Sequence, residues 1–205
     1  MDTKYLIVFA LIAGFVGGSI SGFFLSSSVE KTPNQMIKDF YETENAVHVS
    51  PHTLRGKMDN GDLSYVLVDL RSAEEYEKEH VVGAINIPTY KNPNNSIKIG
   101  EDKEATQGIV NAFKALPADK EIITYCYSMP CMTGRKIGKF LAENKIYVKT
   151  LNIGWNEWRY FWTLWNHEGE WNATDVKDYV VSGSEAGEPK LKTSNGVCSK
   201  GEFGC

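Results

Sequence analysis

The sequence has little or none of three features, and two of these shortages each exclude a class of protein. Positive charge is not in excess: the net charge is −4 at pH 7, so we expect no nucleic-acid partner, because nucleic-acid binding uses clustered Lys and Arg. No segment repeats, which excludes a solenoid. Cysteine is scarce, with four among 205 residues. This even number is compatible with an oxidising compartment but does not establish one.

Residues with the spacing of a metal site are also missing. Cys198 and Cys205 lie near the C-terminus, but none of the four histidines lies beside them, and a zinc site needs more ligands than two cysteines. These two cysteines could form a disulfide, bind metal weakly or have no role. We therefore expect no metal and no cofactor.

Charge is absent from one stretch near the N-terminus. No charged residue occurs from Tyr5 to Leu25, and as a helix this stretch would be roughly 30 Å long, the thickness of the hydrocarbon core of a bilayer. We predict a transmembrane helix at residues 5–25, after a tail at 1–4. A signal peptide cleaved near Ser26 is the alternative. Lys4 before the span favours a single-pass membrane protein with its domain outside the cytoplasm.

The rest of the chain divides into three parts. Residues 26–45 read as a juxtamembrane spacer, in which Met36, Ile37, Phe40 and Tyr41 have the spacing of an amphipathic helix. Residues 46–170 form the predicted domain. Residues 171–205 are a predicted flexible extension, because the sequence from Val181 onward is rich in Gly, Ser, Lys and Glu.

Strand and helix patterns alternate through the predicted domain. Short apolar runs predict strands at 46–49, 65–69, 84–88, 121–125 and 147–151, and helices are predicted at 51–57, after Ser72, at 104–116 and after Cys131. Residues 90–103 read as loop. Gly134 and Gly138 share one side of a helix and predict close approach to neighbouring backbone. The alternation predicts an α/β fold around a mostly parallel sheet.

Cys126 lies between a predicted strand end and the N-terminus of the next helix. Backbone N–H groups and the positive end of the helix dipole converge there, and both favour a thiolate. The alternative is a buried small hydrophobic residue, which cysteine often is. We predict that Cys126 is the catalytic residue.

Four separated motifs then follow one another in order along the chain. They are Val66-Leu-Val-Asp69-Leu-Arg71-Ser-x-x-Glu75-Tyr76, Glu79-His80-Val-x-Gly83-Ala84-Ile-Asn86-Ile-Pro88, Tyr125-Cys126, and Gly154-Trp155-x-x-Trp158. Together they resemble the rhodanese-like sulfurtransferase domain over residues 46–165. The resemblance implies a three-layer fold with a central parallel five-stranded sheet flanked by helices, and a persulfide on Cys126. It implies a structural role for Asp69, Arg71 and His80.

The loop after Cys126 departs from the common pattern of that family, Cys-x-x-Gly-x-Arg-Ser. A second cysteine, Cys131, follows Pro130, as in a subset of the family with two cysteines in the loop. Cys131 is a resolving thiol, a second sulfur carrier or a plain first-turn residue. The predicted substrate-binding loop surrounds the sulfur with backbone N–H groups, and its residues are Tyr127, Ser128, Met129, Cys131, Met132 and, as the nearest cation, Arg135.

We therefore predict a membrane-anchored sulfurtransferase. No basic side chain lies between Cys126 and Cys131, which favours polysulfide or a protein persulfide over thiosulfate as the donor. A thiol redox protein that uses both cysteines and a catalytically silent partner-binding module are the alternatives. A phosphatase or arsenate reductase of the Cys-x5-Arg type is disfavoured, because neither cysteine has an arginine at that spacing.

Overall fold

A computed structural model describes residues 31–171 and 174–192, together with four isolated positions before residue 31. The chain divides into two compact units, residues 1–43 and 44–205. Helix α1 (Pro33–Val47) supplies most of the described part of the first unit, and its apolar side chains at 36, 37, 40 and 41 are exposed.

The transmembrane helix predicted at residues 5–25 lies outside the described residues, apart from isolated positions. Among the residues that the structure does describe, no helix is both long and apolar enough to cross a membrane.

The second unit is built on a five-stranded parallel sheet in the order β1-β8-β7-β2-β4. Its strands are β1 (His48–Val49), β2 (Tyr65–Asp69), β4 (Ala84–Asn86), β7 (Glu121–Tyr125) and β8 (Lys149–Leu151). The central strands are near-continuous apolar runs because both of their faces are covered. This architecture confirms the predicted α/β fold.

Helices cover both faces of the sheet, and capping residues set where several of them begin. They are α2 (Pro51–Asp59), α3 (Ala73–Lys78), α4 (Lys103–Lys114), α5 (Met132–Glu143) and α6 (Trp155–Tyr160). Ser50 caps α2 by accepting a hydrogen bond from the Thr53 N–H at 3.0 Å. Short 3₁₀ helices follow at Trp162–Leu164, Glu168–Glu170 and Val176–Tyr179.

Two clusters of buried apolar side chains fill the space between the sheet and these helices. One contains Leu54 and Met58 of α2 together with Trp158 of α6, and the other contains Phe113 of α4 and Leu141 of α5. These side chains are at most 1% exposed, so each helix is held mainly by the apolar face that it buries. Trp158 also stacks on Trp165, with ring centroids 5.2 Å apart.

Three sequence predictions need correction inside the domain. Ala46 and Val47 belong to α1 and not to the first strand, and the predicted loop at 90–103 contains a hairpin of β5 (Tyr90–Asn92) and β6 (Asn95–Ser96). A Cβ at Gly134 would lie 3.7 Å from the Thr150 side chain, which is ordinary contact. Close approach of backbone is therefore not the reason for that glycine.

The domain also continues beyond the predicted boundary at residue 170. Strand β9 (Val180–Val181) pairs antiparallel with β3 (His80–Val81). The Gly83 N–H donates to the Ala186 carbonyl at 2.6 Å, and the Lys192 N–H donates to the Asp59 carbonyl at 3.0 Å. Residues 174–192 are thus tied to the domain by main-chain hydrogen bonds rather than forming a flexible extension; Cys198 and Cys205 lie outside the described residues.

Candidate active site

Both cysteines of the loop lie at the carboxyl edge of the parallel sheet. Cys126 directly follows β7, and Cys131 is the N-cap residue of α5. Between them the Cys131 N–H donates to the Ser128 carbonyl at 3.0 Å, which closes a turn around Met129 and Pro130. The turn shortens the loop enough to bring the two side chains together.

The two sulfur atoms lie 3.2 Å apart, within hydrogen-bond distance. Both cysteines are free thiols. Cys126 is only 5% exposed, whereas Cys131 is half-buried. The sequence left open whether two cysteines separated by five positions can touch, and the structure brings their sulfur atoms into contact.

The surroundings favour the thiolate on Cys131 and not on Cys126. The hydrogen bond from the Cys126 thiol, helped by the Thr133 hydroxyl and the Thr133 and Tyr127 N–H groups, lowers the pKa of Cys131 from 9.0 to about 5. The hydrogen bond to Cys131, followed by burial, raises the pKa of the Cys126 thiol. The two thiols therefore titrate as a coupled pair that shares one proton, and the surroundings favour the negative charge on Cys131.

The predicted ring of N–H donors is only partly directed at the sulfurs. The Tyr127 N–H acts to lower the pKa of both thiols. The Cys131 N–H closes the turn instead, and the Met129 N–H donates to the Glu157 carboxylate. Ser128 contributes its carbonyl oxygen to that turn. Met132 opens α5 with its side chain 53% exposed.

Glu157, which the sequence reasoning missed, holds the middle of the loop. Its carboxylate accepts hydrogen bonds from the Met129 N–H at 3.2 Å and from the Gly154 N–H at 3.0 Å. Arg135 donates to the Met129 carbonyl at 3.1 Å. The backbone of Met129 is thus fixed at its N–H by an anion and at its carbonyl by a cation.

Gly154 allows this loop to lie against the start of α6. A Cβ at position 154 would lie 2.1 Å from the Ser128 nitrogen and 2.4 Å from the Tyr127 carbonyl carbon, so no other residue fits without moving the loop. The Trp155 and Asn156 N–H groups donate to the Cys126 and Tyr127 carbonyls at 2.8 and 2.9 Å. The Gly154-Trp155 motif in the sequence was the signal for this contact.

A network of side chains holds Tyr127 on the opposite side of the loop. Its hydroxyl donates to the Glu75 carboxylate, which also accepts the Ser72 hydroxyl at 2.6 Å. The Tyr127 ring packs edge-on against Tyr90, and the Tyr90 hydroxyl lies 2.7 Å from that of Thr133. The spacing of Ser72 and Glu75 is that of a capping box, but nothing in the sequence indicated that Tyr127, Tyr90 and Thr133 join them.

The three residues predicted to be structural are all buried. Asp69 accepts hydrogen bonds from the Arg71 guanidinium at 2.6 Å and from the Tyr125 hydroxyl at 2.6 Å. The two ring nitrogens of His80 lie 2.7 Å from the Tyr76 carbonyl and 3.1 Å from the Glu185 carbonyl. Its partners are main-chain atoms, and it ties residue 185 to the helix α3 region.

Comparison with known proteins agrees with this architecture. The family of rhodanese-like domains matches residues 50–160, which is more than half of the chain. This chain belongs to the rhodanese-like family. The match confirms the predicted family on residues that include the loop, both cysteines and Glu157.

Individual proteins and solved structures match parts of the chain. An HTH-type transcriptional regulator of Mycobacterium tuberculosis is 31% identical over 93 residues, which cover 45% of this chain and 34% of the regulator. The BH2092 protein of Bacillus halodurans is 28% identical, with 62% of this chain and 81% of that chain covered and a TM-score of 0.47. The rhodanese-like domain of the Anabaena sp. Alr3790 protein is 15% identical, with 76% and 94% covered and a TM-score of 0.41.

A small cavity opens beside the two thiols of this rhodanese-like domain. Its volume is about 20 Å³, and its lining includes Cys126, Cys131, His48 and Arg135. A volume of this size holds about one water molecule or an atom of similar size. The buried Nδ1 of His48 has no hydrogen-bond partner in the described part of the chain.

Three side chains on α2 and the 3₁₀ helix at 168–170 come close enough to hold a metal. Ligand atoms of His52, His167 and Glu170 all lie within 4.8 Å of one another. The Glu170 carboxylate is already paired with the Arg55 guanidinium, and His52 Nε2 lies 3.3 Å from it. A metal would therefore compete with an existing buried ion pair for this carboxylate.

Proposed function

We propose that this chain is a sulfurtransferase that carries sulfane sulfur as a persulfide on Cys126. The observation that carries the proposal is the position of Cys126 at the carboxyl end of β7 in a rhodanese-like domain, with a second thiol 3.2 Å from its sulfur. The cavity of about 20 Å³ beside it is of the right size for one added sulfur atom.

The first chemical step requires the shared proton to move from Cys126 to Cys131, against the resting preference for a Cys131 thiolate. Cys126 passes its proton to the Cys131 thiolate, and the resulting Cys126 thiolate attacks the terminal sulfur of a polysulfide. The terminal S–S bond of the donor breaks, and the donor leaves one sulfur shorter with the bonding electron pair. Cys131 thus serves as the base, and Cys126 becomes a persulfide anion.

The charges around the loop disfavour thiosulfate as the donor. Glu157 places a carboxylate on the Met129 N–H, and the Arg135 guanidinium is engaged by the Met129 carbonyl. A compact dianion such as thiosulfate would meet no unengaged cation within the loop. Polysulfide or a protein persulfide remains our proposed donor.

Mass spectrometry tests the persulfide directly. The reduced protein, treated with polysulfide and alkylated, should yield the tryptic peptide 121–135 with one added sulfur, about 32 Da. The Cys126→Ser variant should not gain it, and Cys131→Ser controls for the second thiol. Failure of every donor to add sulfur to any variant contradicts the proposal.

A redox function is the second candidate, and the 3.2 Å contact between the thiols is the observation in its favour. A protein that cycles between dithiol and disulfide would show a defined reduction potential without added sulfur. A silent binding module would instead retain its cellular role in the Cys126→Ser variant.

Membrane attachment is part of the same proposal. The uncharged segment at residues 5–25 would tether the domain as a single-pass span, with the domain outside the cytoplasm. Extraction of membranes with alkaline carbonate tests it, since a spanning protein stays in the pellet. Release of the full-length chain into the supernatant contradicts the tether.

A further inference from the structure

Cys131 lies against the atom that becomes the inner sulfur of the proposed persulfide. That atom is Cys126 Sγ, and Cys131 Sγ is 3.2 Å from it. A nucleophile in contact with the inner sulfur needs no large movement of the loop to attack it. The turn from Ser128 to Cys131 keeps the second thiol in this place.

We propose that Cys131 resolves the Cys126 persulfide by attacking Cys126 Sγ, so that the loop releases the bound sulfur as hydrosulfide and closes a Cys126–Cys131 disulfide. This inference rests on the proposed function and extends it, because it names hydrosulfide as the product. It also requires a dithiol as the co-reactant that reopens the disulfide.

The step balances in atoms and charge. Before it, Cys126 carries the persulfide anion and Cys131 carries the proton that it took from Cys126. The Cys131 thiol gives its proton to the outer sulfur, and the resulting Cys131 thiolate attacks Cys126 Sγ. The Cys131–Cys126 S–S bond forms, the bond between Cys126 Sγ and the outer sulfur breaks, and the outer sulfur leaves with the electron pair as HS⁻. A dithiol then exchanges with the disulfide, becoming oxidised while both cysteines return to the reduced state.

The environment of Cys131 suits this role. It caps α5, a helix of 12 residues, whose N-terminal dipole favours a sulfur anion, and contacts with Thr133 contribute to its lowered pKa. Cys131 is also more exposed than Cys126, so an external dithiol has access to its sulfur. Cys126, by contrast, is shielded against adventitious attack.

Two substitutions separate resolution from the base function of Cys131. Cys131→Ser removes the second thiol, and Cys131→Asp places a group that ionises below neutral pH and suits an N-cap position; neither can form a disulfide. The full-length wild type and both variants are reduced, desalted, treated with polysulfide and quenched with iodoacetamide at intervals. The peptide 121–135 and the released hydrosulfide are then measured.

We expect the wild type to show a brief gain of one sulfur, then a peptide about 2 Da lighter than the reduced form, with one hydrosulfide released per disulfide. In Cys131→Asp the persulfide should last about ten-fold longer or more, since only external thiols can remove it. Equal persulfide lifetimes in the wild type and this variant overturn the inference alone. Absence of added sulfur in all three proteins overturns the proposed function as well.

One further outcome would reverse the assignment of the two thiols. If both Cys131 variants gain no sulfur while the wild type forms the disulfide, Cys131 is the residue that accepts sulfur and Cys126 the one that resolves it. The inference in its stated form is then overturned.

Discussion

Two groups of side chains lie at the carboxyl edge of neighbouring strands, and they differ in how their polar atoms are used. Asp69 ends β2 and is paired in register with Tyr125 at the end of β7, and Cys126 follows directly. Asp69 and Arg71, at most 2% exposed, have partners on both sides. The thiols instead share one proton beside a cavity. We call Asp69, Arg71 and Tyr125 the frame, because their side chains are fixed by hydrogen bonds to one another. The neighbouring loop differs, since its two thiols can still exchange a proton and react.

A substitution in the frame should have the largest effect on the stability of the protein. Asp69→Ala removes the acceptor of the Arg71 guanidinium and of the Tyr125 hydroxyl, and it leaves a buried charge without its partner. We expect a loss of about 3–5 kcal/mol in the free energy of unfolding, measured by denaturant titration. Glu101→Ala, which breaks a pair with both side chains about three-quarters exposed, is the control and should cost less than about 1 kcal/mol.

Disruption of the contact between α6 and the loop should have the largest effect on the reactivity of Cys126. Gly154→Ala places a methyl group 2.1 Å from the Ser128 nitrogen, so the loop must shift. A displacement of this size should slow sulfur transfer to Cys126 about a hundred-fold, measured as the rate of persulfide formation. Gly138→Ala is the matched control.

The control substitution has a clear expectation of its own. A Cβ at residue 138 meets the Val148 side chain at 3.9 Å, and alanine favours a helix over glycine by about 1 kcal/mol. Gly138→Ala should therefore be neutral or slightly stabilising and leave the rate unchanged. Similar slow rates in both variants would contradict the role given to Gly154.

The frame and the loop also differ in how far the sequence could predict them. Leu67, Val68 and Ile123 are fully buried apolar residues in short runs that predict central strands of a parallel sheet, and Ser50 signalled the start of α2. These are local patterns. The position of Cys126 after β7 followed from the same patterns.

The details of the loop could not be predicted, because they depend on contacts between distant residues. Glu157 reaches Met129, which lies 28 positions away, and Glu75 reaches Tyr127 across 52 positions. Nothing in one sequence indicates such pairs. The hydrogen bonds of residues 180–186 to the β3 region were missed for the same reason, since their composition alone is typical of a flexible tail.

The shared proton gives the reactivity of the loop a pH dependence. A lowered pKa means that the Cys131 thiolate persists down to a pH of about 5, so its alkylation rate should fall only as the pH drops through that value. In Cys126→Ala the strongest hydrogen bond to this thiolate is lost, and the midpoint should move up towards 9. Iodoacetamide labelling of residue 131, followed on peptide 121–135 across pH, measures it. An unchanged midpoint would show that Cys126 does not stabilise the thiolate.

Weakening the hydrogen bonds between Glu157 and the loop should have the smallest effect on stability. Glu157→Gln keeps the size of the side chain and one acceptor oxygen but removes the charge from the hydrogen bonds with Met129 and Gly154. A charge-assisted bond is about twice as strong as a neutral one, so we expect a loss of about 1 kcal/mol. Hydrogen exchange at the Met129 amide should then be about five-fold faster, because the loop opens more often. The amide of Ile123 in the central strand β7 is the internal control and should exchange at its wild-type rate. If both amides accelerate equally, Glu157 stabilises the whole domain and does not act on the loop in particular.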